Sequence, residues 1–101
     1  MNENCLLNLV VTPEAEDAVA DWLLDREEVS GFSSMPIAGH GSSEHAMSLA
    51  EQVAGRRRQV LFQIHLGLDD ARRLVTTLGE DFHGSGMHFW LTPVLDSGHV
   101  A

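Results

Sequence analysis

Lysine is absent from the 101 residues, cysteine occurs once, and apolar runs are short. Without lysine, six arginines face fifteen aspartates and glutamates, a formal charge of −9. That sign excludes a nonspecific nucleic-acid binder, whose affinity comes from neutralising phosphates, and makes a cation or a basic protein the easier partner. The lone Cys5 excludes an intrachain disulfide framework. No apolar run approaches the roughly 18 residues that span a bilayer, so an integral membrane protein is not expected. Residues 1–11 carry Glu3 and no arginine, then lead into Thr12 and Pro13, a pattern unlike a signal peptide; the expected compartment is the cytoplasm. Neither a tandem repeat nor a composition break marks a linker. With 44% apolar and 21% charged residues, the chain reads as one globular domain over 1–101.

Alternation and helical periodicity organise that domain. Cys5 to Val11 has the length of a strand, with Leu7, Leu9 and Val11 on one face and Leu6, Asn8 and Val10 on the other. Thr12 suits an N-cap, Pro13 the first helical position, and Glu14, Glu16 and Asp17 the positive helix end. Ala15, Ala18, Val19, Trp22 and Leu23 then form an apolar stripe. Phe32, Ser34 and Pro36 alternate with Ser33, Met35 and Ile37 as in an edge strand, since Pro36 lacks an N–H for a central one. His40 to Gly55 reads as a loop holding one helical turn. Val60, Phe62, Ile64 and Leu66 alternate with Leu61, Gln63 and His65; Ala71, Leu74, Val75 and Leu78 stripe a second helix that Gly79 ends; Met87, Phe89 and Leu91 alternate with His88, Trp90 and Thr92. The pattern predicts a βαββαβ unit with strands near 4–12, 30–39, 56–67 and 86–93, and helices near 13–27 and 69–81.

Two helices cover one sheet face and leave the other bare. That second face carries Leu6, Val10, Leu61 and Trp90 beside Asn8, Gln63, His65, His88 and Thr92, half apolar. A face of this kind invites association, so Leu61, Gln63, His65, His88 and Trp90 are candidate interface residues. An exposed, slightly greasy sheet is the alternative.

Two polar concentrations stand out. His40 and His45 share a segment with Glu44 and Glu51, and imidazole with carboxylate suits zinc, nickel or copper(II). The spacing matches no zinc motif, and ordinary hydrogen bonding in a loop is the competing explanation. In the second, Arg56, Arg57 and Arg58 appear where the loop becomes a strand, and Gly39, Gly41 and Gly55 allow close backbone approach. Guanidinium forks fit phosphate or carboxylate, although an acidic protein also offers them ordinary salt bridges. Ser42, Ser43 and His45 lack an orienting group and an oxyanion hole, so an enzyme is not expected.

The whole pattern, with Gly39-His40-Gly41 and Ser48-Leu49-Ala50-Glu51-Gln52-Val53-Ala54-Gly55-Arg56, resembles the PII-like superfamily, in particular a small bacterial branch encoded beside heavy-metal efflux pumps. The resemblance implies an α+β, ferredoxin-like sandwich assembled as a homotrimer, with sheets facing inward and ligand sites in the clefts between neighbours. It also implies a ligand role for Gly39, Gly41, Gly55, Arg56, Arg57 and Arg58, with an adenine nucleotide as the family's ligand; a divalent transition metal at His40, His45 and Glu44 is the alternative ligand. The copper-tolerance-associated CutA proteins share that architecture. The expected function is a PII-like signalling or regulatory protein associated with heavy-metal efflux, acting through the loop between strands two and three on an efflux component or regulatory protein. A metal-binding or buffering protein using His40, His45 and Glu44, and a non-sensing structural adaptor, are the alternatives.

Overall fold

The computed structural model describes residues 3–41, 50–51 and 56–101. Its elements run β1 (Asn4–Val11), a 3₁₀ turn (Pro13–Ala15), α1 (Glu16–Leu24), β2 (Phe32–Gly39), β3 (Arg57–Gly67), α2 (Leu68–Asp81) and β4 (His88–Pro93). The sheet has the order β2-β3-β1-β4, and all three pairings are antiparallel. This is the expected βαββαβ sandwich, with the predicted first strand at the centre of its own sheet.

Register explains why one face buries. Leu9 pairs with Phe62 and Phe89, Leu7 with Ile64 and Leu91, and Phe32 with Ile64, so their side chains rise together on the helix side. Leu7, Phe62 and Ile64 are fully enclosed there with Val19 and Leu23 of α1, while Ala71, Leu74 and Leu78 seal the α2 side. Each large side chain so buried stabilises by about 1.5–3 kcal/mol. Phe32 ties the edge strand into this layer, its ring centroid 5.7 Å from that of Phe62.

The differences from the sequence reading lie at element ends. Thr12 does occupy the cap position with extended backbone, but its side chain makes no capping hydrogen bond, and the first turn is 3₁₀. The first helix stops at Leu24 rather than near residue 27, because Arg26 N–H bonds the Leu23 carbonyl at 3.1 Å and Val29 N–H bonds that of Arg26 at 3.2 Å, replacing the helical ladder by tight turns. Ala18 is exposed and leaves the stripe. Gly79 does not end the second helix, which continues to Asp81, with Phe82 N–H closing on the Leu78 carbonyl at 2.8 Å. The last strand starts at His88, not 86, since Gly84 and Gly86 have φ of +79° and +75° and build the entering turn instead. No helix among the described residues is long and apolar enough to cross a membrane.

Candidate functional site

The β2–β3 pair stays in register to its open end, where Gly39 faces Arg57 and Ala38 faces Arg58. The Gln59 side chain lies over Gly39, and its flexible amide end would have to shift to admit a Cβ there. Ala50 and Glu51 are helical and fold back on the start of β3. The Glu51 carbonyl accepts from Arg56 N–H at 3.1 Å, and its carboxylate Oε2 accepts from Arg58 N–H at 2.7 Å. An acidic side chain thus anchors the returning chain to the strand on which the arginines sit. Ala50, Glu51, Arg56 and Arg58 line an open cavity of about 220 Å³.

Strand alternation divides the predicted arginine set. Arg58 shares the parity of Val60 and lies toward the helix side, whereas Arg57 and Gln59 share that of Leu61 and continue the helix-free face; Arg56 precedes the strand. Arg57 is half-buried, and Arg56 and Arg58 are exposed. Gly41 is exposed with open space around it. Gly55, Glu44 and His45 lie outside the described residues. His40 is exposed just beyond β2, and among the described residues no group of three or more metal-ligating side chains is assembled.

The five predicted interface residues do converge. Around β1, Val10 pairs with Leu61 and His88, Asn8 with Gln63 and Trp90, and Leu6 with His65, placing all five on the helix-free face. Trp90 is 41% exposed there and Met35, paired with Leu61, is 36% exposed; Leu6, Leu61 and Gln63 are half-buried. His88 lies beside Trp90, with ring centroids 5.9 Å apart.

At the centre of this face sits Asn8, a buried polar residue only 3% exposed. Its Oδ1 accepts from Gln63 Nε2, and its Nδ2 donates to the Leu6 carbonyl and to Thr92 Oγ1. Sequence reasoning placed Asn8 on this face without assigning it a role. Its signal was being the one polar residue within the apolar run Cys5 to Val11.

Comparison with known proteins follows the same architecture. No curated protein matches the chain. Among solved structures, a DUF3240 family protein from Shewanella baltica OS155 superposes with a TM-score of 0.80 at 26% identity, covering 100% of both chains. CPII from Thiomonas intermedia K12, a nitrogen regulatory PII-like protein bound to ADP, AMP and bicarbonate, superposes at 0.69 with 14% identity over 96% of each chain. CutA from Synechococcus elongatus PCC7942 superposes at 0.70 with 14% identity, over 93% of this chain and 79% of its own. The fold is therefore that of the PII-like and CutA proteins. The family model described as a protein of unknown function, DUF3240, matches residues 1–101, and the chain belongs to that family.

Proposed function

We propose that this protein is a PII-like regulatory subunit, not an enzyme, that assembles as a cytoplasmic homotrimer through its helix-free face. It senses a small anionic ligand at the open end of β2 and β3 and reports it through the segment between them to a partner in heavy-metal efflux. The observation that carries this reading is the anchoring of Arg58 N–H by Glu51. That contact holds the end of the connecting segment against Arg56 and Arg58, so an anion bound by the guanidiniums changes the local charge balance where the segment rejoins the sheet. The PII-like neighbour holding ADP, AMP and bicarbonate supports an anionic ligand class. The efflux partner is supported by the resemblance of Gly39-His40-Gly41 and the 48–56 stretch. A ligand shifts the segment only insofar as it prefers one of its arrangements.

Calorimetry tests the reading with ADP, AMP and bicarbonate in one series and nickel, copper and zinc in another, on purified oligomer. Arg56→Ala/Arg58→Ala should weaken anion binding by about tenfold or more, the loss of one charge-assisted contact, while His40→Ala/His45→Ala leaves it intact. Metal binding lost only in the histidine variant would replace this reading by metal sensing or buffering. Absence of both kinds of binding from the intact wild-type oligomer would replace it by the adaptor.

A further inference from the structure

Away from the sheet end, a cavity of about 210 Å³ opens between the end of α1 and the outer side of α2, lined by Arg26, Glu28, Arg73, Leu74 and Thr77. Two of the chain's six arginines meet here. Among the described residues the Arg26 side chain makes no hydrogen bond. Its guanidinium lies over Trp22, 3.9 Å from the ring centroid, and 3.7 Å from Asp81 Oδ2, beyond hydrogen-bonding range. That same carboxylate oxygen is taken by Trp22 Nε1–H at 2.7 Å, and Arg26 Nε is buried with no hydrogen-bond partner among the described residues. A guanidinium carries five donors in a planar fork. Arg26 is therefore positioned by stacking and charge while its donors remain unspent.

Arg73, which also lines the cavity, is tethered by Asp70 one turn earlier in α2, and its side chain is otherwise largely exposed. Thr77 Oγ1–H donates to the Arg73 carbonyl at 3.1 Å and reorients by rotation about one bond. Leu74 adds an apolar side chain to the lining, and Glu28 adds one negative charge.

We infer that this inter-helix groove binds a small aliphatic monocarboxylate, gripped by Arg26 and Arg73, with its carbon chain against Leu74. Planar forks match a carboxylate, and the Glu28 charge disfavours a second negative charge on the ligand. The site lies on the helix layer, separate from the arginines that begin β3, and does not depend on the regulatory reading above.

Sodium butyrate titration, followed by the indole N–H resonances at constant ionic strength, tests it. Trp22 stacks on Arg26 and reports the groove; Trp90, on the other side of the sheet, is the control within the same molecule. A saturating shift of Trp22 without Trp90 is expected, with Arg73→Gln weakening the apparent affinity about tenfold. Sulfate should act only weakly on wild type and more strongly on Glu28→Gln. The inference is overturned if Trp22 responds without saturation, moves in parallel with Trp90, or is unaffected by Arg73→Gln. Loss of the Trp22 response in Arg56→Ala/Arg58→Ala would also overturn it by moving the carboxylate to the sheet end, whereas failure of nucleotide binding there leaves this result unchanged.

Discussion

Gln63 reaches across the helix-free face and donates from Nε2 to Oδ1 of Asn8, 3.1 Å away on the neighbouring strand. The other end of the Asn8 amide is also occupied, at 3.3 Å by the Leu6 carbonyl and at 3.4 Å by Thr92 Oγ1. One side chain thereby ties the central strand to both of its neighbours, through Gln63 on β3 and Thr92 on β4. Satisfied polar groups of this kind reward a single strand register, because a one-residue slip turns every side chain to the other face.

Asn8→Ala should destabilise the fold by about 1–3 kcal/mol, since it removes a buried amide together with the partner of Gln63. Gln63→Ala should cost less, because Gln63 is half-buried and its loss leaves the two Asn8 donor contacts in place. Urea denaturation at one fixed protein concentration measures both. An Asn8→Ala loss below about 0.5 kcal/mol would show that the amide adds nothing beyond ordinary hydration.

Trp90→Asp should dissociate the assembly. The substitution puts a carboxylate opposite Asn8 on the helix-free face, with Leu6 and Val10 diagonal to it, in a protein already at −9, where a counterion is scarce. Light scattering over a concentration series should give three copies for wild type and a smaller mass for the variant. A wild-type monomer from micromolar to millimolar concentration contradicts the arrangement; a stable dimer keeps the covered face but removes the trimer.

Burial pushes the Cys5 thiol up from its ordinary value near 9.0, with Arg72 opposing the shift less strongly. Raised in the folded state, the group favours folding fully below the unfolded value. That contribution is lost as pH rises through the folded value, because the unfolded thiol ionises first. Wild-type thermal stability should therefore fall from about pH 9 upward more steeply than that of Cys5→Ala. Parallel profiles for the two proteins would contradict the assignment. Thiol reagents should also modify Cys5 slowly in the native protein, as the side chain is only 3% exposed.

Where alternation was clean, the sequence was legible to within a residue or two, as in Arg57–Gly67, whose four buried positions are the four apolar residues of one parity. Pro36 made the second strand ambiguous, and the sheet resolves it by placing β2 at the edge, where a missing N–H costs no ladder bond on the solvent side. The end of the first helix was illegible because no proline or glycine stands between Leu24 and Ser30 to mark it, and the contact joining this end to α2, Trp22 indole to Asp81, is remote in sequence. For the same reason Arg26 and Arg73 gave no sign of sharing a groove, although Arg73 was correctly placed outside the packing stripe. The placement of Leu61, Gln63, His65, His88 and Trp90 on one sheet face was readable because it follows from strand parity alone. The division of Arg57 from Arg58 follows from parity too, whereas Arg56 precedes the strand and takes no side from it.

The central position of β1 bears on how the chain is made. During synthesis Cys5 to Val11 emerges well ahead of both its partners, Val60 to Leu66 and His88 to Pro93, so this apolar strand must wait for either neighbour. Such long-range pairing slows folding and leaves a sticky edge exposed to other nascent chains. The helical segment that follows, whose buried Val19 and Leu23 belong to the same core, is the nearest shelter available in the interim.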